Sequence, residues 1–122
     1  MAAVALAAAA QWVPVGVSGS QLHVFIDRQS VVLRGDLREA VVRIGSPRVI
    51  TGRIAIVYEL EQFDCQRRQW RLISYRGVDA DQRLVATKPA AAVPPAMLDV
   101  QPDSLGERVL ETVCAFKLPG KP

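Results

Sequence analysis

The sequence predicts an α+β domain, an antiparallel sheet followed by one C-terminal helix. Three observations predict it. Between Trp12 and Lys88, short β-branched runs alternate apolar with polar residues and are punctuated by turn residues. Pro89, Pro94, Pro95 and Pro102 then interrupt the pattern, and proline cannot join a central ladder. Beyond them stands Ser104-Leu105-Gly106-Glu107, with Ser at N-cap and Glu at N3, a capping box that starts a helix.

The elements follow in order. Trp12 to Val17 is a first short strand, closed by Gly19 and Ser20. Leu22 to Asp27 is the second, with Leu22, Val24 and Ile26 on one face. Asp27 to Ser30 is a polar turn, and Val31 to Leu33 a short strand. Arg34-Gly35-Asp36 is a tight connection into a strand at Glu39 to Ile44. Gly45-Ser46-Pro47 closes that strand.

The longest strand lies within Val49 to Asp64. Ile54, Ile56, Tyr58 and Leu60 point one way; Ala55, Val57, Glu59 and Glu61 point the other. Phe63 and Cys65 reverse the apolar phase, which predicts a bulge or a strand end near Gln62. Gln69 to Arg76 is a further strand, Gly77 to Asp81 a turn, and Gln82 to Lys88 the last strand. Pro89 to Asp103 reads as an extended surface crossover. In the helix, Val109, Leu110, Val113 and Cys114 share one face, while Glu107, Arg108 and Glu111 take the outer one.

The 122 residues suffice for one domain. The net charge of +3 is a mild basic excess that does not by itself argue for nucleic acid. Two cysteines and one histidine fall short of a zinc site, so no metal and no cofactor are expected. His23 has no triad partner nearby, Ser104 is a cap, and no glycine-rich phosphate loop is present. The expectation is therefore no catalytic residue and no enzyme.

Residues 1–10 are apolar and alanine-rich, and they read as the remnant of a signal peptide. Residues 11–116 form the domain, and residues 117–122 read as a disordered tail. No apolar run approaches the roughly 20 residues of a membrane-spanning helix. Cys65 and Cys114 are either one disulfide or two buried thiols. The signal-like start favours the disulfide, and a helix packed on the sheet would bring the two together.

Several segments recur in a recognisable order: Trp12, then Val24-Phe25-Ile26-Asp27-Arg28-Gln29-Ser30-Val31, then Tyr58. Asp64-Cys65-Gln66-Arg67-Arg68-Gln69-Trp70-Arg71 follows, then Pro102 to Glu107 and Val113-Cys114. This set resembles the bacterial surface-adhesin protein E-like family over about residues 11 to 116. The resemblance implies about six antiparallel strands with the C-terminal helix tied by a disulfide to the concave face. It also implies export to the periplasm, the cell surface or beyond, a homodimer, and a role in adhesion.

Arg67, Arg68, Arg71 and Arg76 cluster in sequence around Trp70 and are the candidate binding residues. Either they form the solvated face of an outer hairpin, or they grip a protein or a sulfated glycan at the cell envelope. A nucleic-acid partner is not expected of an exported chain. Arg34-Gly35-Asp36 matches the tripeptide read by integrins, and Gly-Asp is equally a favoured hairpin turn. The leading function is an exported, non-enzymatic, adhesin-like binding module. The alternative is an envelope accessory protein that pairs with itself through a sheet edge.

Overall fold

A computed structural model describes residues 9–46, 50 and 52–118. The predicted signal remnant falls largely on residues 1–8, outside the described residues, as do Pro47 and residues 119–122 of the predicted tail.

Eight strands form one antiparallel sheet. They are β1 (Trp12–Val17), β2 (His23–Asp27), β3 (Val32–Arg34), β4 (Leu37–Gly45), β5 (Ile56–Asp64), β6 (Gln69–Val78), β7 (Leu84–Lys88) and β8 (Leu98–Asp99). Among the described residues a single α-helix, α1 (Leu105–Ala115), follows. The hydrogen-bonded order is β1-β2-β4-β5-β6-β7. β3 pairs with β4 next to β2's pairing, and β8 pairs with β6 beyond β7's pairing. The eight strands thus occupy six lanes, which is why a count of about six fits the sequence.

The break between β2 and β3 is built by two side chains. Asp27 Oδ1 accepts from the Gln29 and Gln11 amides and caps a 3-10 turn at Arg28–Ser30. Ser30 Oγ donates to the Asp27 carbonyl and accepts from the Val41 amide, so the turn is stitched to β4. The Asp-x-x-Ser spacing is the sequence signature of that stitch. Asp64 does similar work in the β5–β6 turn, where Oδ1 accepts from the Gln66 and Arg67 amides.

Val24, Ile26, Ala40, Val42 and Phe63 point to one face of the sheet, where Val109, Leu110 and Val113 of α1 cover them. Ser104 Oγ accepts from the Glu107 amide at 3.1 Å, as the capping box requires. The Glu107 carboxylate reaches back to the Asp103 amide rather than to that of Ser104. At the other end, Arg38 of β4 donates from Nη1 to the carbonyls of Val113 and Phe116, at 2.8 and 2.7 Å. A cation on those last carbonyls complements the helix dipole. Cys65 at the end of β5 and Cys114 in α1 are joined, with S–S 2.07 Å and Cα–Cα 5.9 Å.

Four expectations are corrected. The longest strand is β6, with 10 residues, against 9 in β5, which starts at Ile56. The turn expected at Gly77 to Asp81 begins two residues later. Gly77 and Val78 are buried strand residues, and Asp79 Oδ1 holds the turn through the Asp81 and Arg83 amides. Glycine suits a strand here because the Ile54 side chain would lie 3.0–3.2 Å from a Cβ at Gly77. β5 runs unbroken through Gln62 to Asp64, and the extra residue near that point belongs to β6, opposite Leu60 and Glu61. Leu98 and Asp99, read as part of the crossover, form β8. A two-residue strand with exposed side chains leaves no periodicity to read.

Candidate functional site

Residues opposite each other in an antiparallel ladder share a face. The pairs Phe25↔Arg43, Arg43↔Tyr58, Tyr58↔Arg76 and Arg76↔Thr87 therefore form one row across β2, β4, β5, β6 and β7. This row lies on the face away from α1, since its neighbours Val24, Ile26 and Val42 point to the helix. No helix of the described residues covers the open face.

Along the row, rings and guanidinium groups alternate. The Arg43 guanidinium lies 4.5 Å from the Phe25 ring centroid and 4.8 Å from that of Trp12. Trp12 in turn lies 5.9 Å from Tyr58, and Arg76 sits 4.4 Å over Tyr58. Three cation–π contacts and the tilted Trp12–Tyr58 ring pair thus link five side chains into one cluster. Neither Arg43 nor Arg76 is ion-paired or hydrogen-bonded among the described residues, so their N–H edges are uncommitted. Two shallow depressions flank the row. One of about 350 Å³ is lined by His23, Phe25 and Arg43. The other, about 470 Å³, is lined by Tyr58, Arg76 and Thr87 over an apolar floor of Val41 and Leu60.

The four arginines singled out from the sequence do not form one patch. Arg67 is exposed in the β5–β6 turn. Arg68 turns to α1 and meets Glu107 and Glu111 at 3.0 and 3.1 Å, Glu107 first among the groups that hold its proton more tightly. Arg71 shares the open face with Arg76 but donates to Gln62 Oε1 and to the Pro95 carbonyl, which pins the proline-rich crossover. Arg76 belongs to the cluster. Trp70 packs against the core on the helix side.

Trp12, Phe25 and Tyr58 are legible in the sequence only as positions of the family resemblance, and Arg43 only as part of a strand; none of the four is among its candidate binding residues. The available signal was that Phe25 and Arg43 fall on the phase opposite to the buried apolar residues. What the sequence does not show is the register that lines them up. Arg34-Gly35-Asp36 resolves as a two-residue hairpin: Gly35 has φ +62°, and Arg34 Nε pairs with Glu39 at 3.4 Å. The motif's place in the fold is thus accounted for by turn geometry.

One titratable group stands out on the helix-bearing face. Glu61 is only 6% exposed, between Ala40 of β4 and Leu72 of β6. Burial, and then the Glu59 carboxylate as hydrogen-bond partner and like charge, push its carboxyl well above the usual range. The folded state then holds this proton more tightly than the unfolded chain. Its contribution is complete below the ordinary glutamate range and is lost as pH rises through the raised folded value. Glu61→Gln, which resembles the protonated form, is expected to stabilise the domain by about 1 kcal/mol at alkaline pH, raising Tm by about 4 °C. It should also flatten the acid-side rise in Tm. A Tm-against-pH series on both proteins checks this, and parallel curves would contradict it.

Among the described residues, no group of three or more His, Cys, Asp or Glu side chains is placed to hold a metal ion. No helix there is long and apolar enough to cross a membrane. The family described as surface-adhesin protein E matches residues 12–115, from the first residue of β1 to the last of α1. No curated protein and no solved structure matches the chain.

Proposed function

The chain belongs to the surface-adhesin protein E family, and on that premise we propose that it is an exported, non-enzymatic binding module that contacts host or envelope macromolecules through the open face of its sheet. The family and the Cys65–Cys114 disulfide are those of an extracytoplasmic protein. The family also implies a non-enzymatic role. The observation that carries the choice of surface is the cluster of Trp12, Phe25, Arg43, Tyr58 and Arg76, with two guanidinium groups that have no ion-pair partner, on a face that no helix covers, among the described residues.

Aromatic and arginine side chains are the groups that dominate contact surfaces, because they combine large area with directional donors. Of the arginines near Trp70, Arg76 is the one that belongs to the aromatic row, and Arg71 is on the same face. Arg67 lies at the edge. Arg68 is engaged by the helix.

Immobilised matrix proteins, glycans and envelope fractions test the proposal. The protein is expected to bind at least one, and Trp12→Ala with Tyr58→Ala to weaken that binding at least tenfold. Glu111→Gln, on the other side, should leave it unchanged. Absence of binding to every component, together with a dimer in solution, would favour the second reading, self-pairing through a sheet edge. The observation behind that reading is the outer edge of β7, which pairs with no further strand among the described residues and where Leu84 is 59% exposed.

A further inference from the structure

We infer that the open face binds a linear sulfated polysaccharide, laid across the strands along the Phe25–Arg43–Tyr58–Arg76 row. This inference rests on the reading of that face as the contact surface and adds the chemistry of the ligand.

Charge selects an anion. Arg43, Arg71 and Arg76 lie on the open face over β4 and β6. The acids of the same face, Asp27, Glu39, Asp64 and Asp99, lie off the Phe25–Arg43–Tyr58–Arg76 row and each accepts hydrogen bonds within the fold. Glu39 pairs with Arg34 and accepts from Gln62, Asp27 and Asp64 are each bound by two backbone amides, and Asp99 accepts from Gln69. Glu59, which lines the depression beside Tyr58, is engaged with Glu61. A guanidinium whose central carbon lies over a ring keeps its planar fork of N–H donors available at its rim. Two such groups, uncompensated within the fold, are acceptor sites for anionic oxygens.

Geometry selects a linear chain. Lanes of a sheet are about 4.8 Å apart, so Arg43 in β4 and Arg76 in β6 stand about 10 Å apart. That is about the length of a disaccharide, and Tyr58 fills the interval. The two depressions extend the row at both ends, with His23 at one and Thr87 at the other. A ribbon of sugar rings fits a shallow track of this kind. An acidic peptide would instead be expected to add along a strand edge, parallel to β1 or β7, where the backbone donors are unpaired. The weakly hydrated guanidinium pairs well with a diffuse sulfate charge.

Calorimetric titration of the whole folded protein with a heparin oligosaccharide of defined length tests the inference. The wild type is expected to bind, with affinity that falls as salt rises. Arg43→Gln with Arg76→Gln is expected to lose at least tenfold. Arg108→Gln with Lys117→Gln removes the same charge from the helix-bearing side and should leave affinity unchanged. Arg43→Lys with Arg76→Lys keeps the charge without the planar fork and should fall between. Far-UV circular dichroism and Tm identify any variant that is unfolded. The desulfated oligosaccharide should not bind. Equal losses in both glutamine pairs, equal affinity for a single-stranded oligonucleotide of the same charge, or no binding of heparin by the wild type would each overturn the inference. Should heparin fail while another macromolecule still binds in an Arg43- and Arg76-dependent way, the contact face stands and the sulfated ligand falls.

Discussion

Replacing Cys65 and Cys114 together by alanine is expected to lower the stability of the domain by about 4 kcal/mol, close to 15 °C in Tm. The bridge spans 49 residues, and a cross-link of that length removes much of the freedom of the unfolded chain. Domains of this size hold about 5–15 kcal/mol in all, so the bond is a large share. The crossover explains why a covalent tie is needed there. Nine residues, Pro89 to Met97, separate β7 from β8, and most of them are exposed. Without the disulfide, α1 is held by Val109, Leu110 and Val113, by the Arg38 cap and by the Arg68 ion pairs. Exposed pairs of the last kind are weak. Thermal melts with and without reductant check the effect. A shift below about 3 °C would show that packing alone seats the helix.

The second large effect is expected at Phe63. It is 1% exposed, stands opposite Arg38 and Trp70, and lies two residues before Cys65. Phe63→Ala removes the largest side chain of the core beneath α1, and such truncations cost about 3–5 kcal/mol. The urea midpoint should fall accordingly, with an unchanged slope. Because Phe63 and the disulfide hold the same junction, the combined variants should lose less than the sum. A loss below about 1 kcal/mol at Phe63 would contradict the packing of α1 on β5.

The elements that were legible in the sequence are those fixed by local chemistry. Ser104 and Glu107 mark the start of α1 because an N-cap is a short-range bond. Asp27 and Ser30 mark the turn between β2 and β3 for the same reason. Trp12–Val17 is read correctly because β-branched residues and flanking Gly and Ser bound it. The cysteines are legible as a pair, since strand end and helix stripe converge.

What was not legible depends on register. Phe25, Arg43, Tyr58 and Arg76 lie far apart in the chain, and only the pairing of four strands brings them into one row. The arginines around Trp70 show the converse. They are close in sequence, yet alternation sends Trp70 to the core and Arg71 to the open face, while the turn sends Arg68 to the helix. Glu61 escapes for another reason. A carboxylate is read as solvent-facing, while burial and the neighbouring Glu59 raise the proton affinity of this one, opposite the small Ala40.

The most direct test of the open face as the contact surface is a residue-resolved map of amide and arginine side-chain NMR shifts as heparin oligosaccharide is added to the folded protein. The account predicts perturbations centred on Phe25, Arg43, Tyr58 and Arg76, including the Nε–H signals of both arginines, with α1 unmoved. Perturbations centred on α1, or on the Arg67–Arg68 turn with the row unchanged, would contradict it.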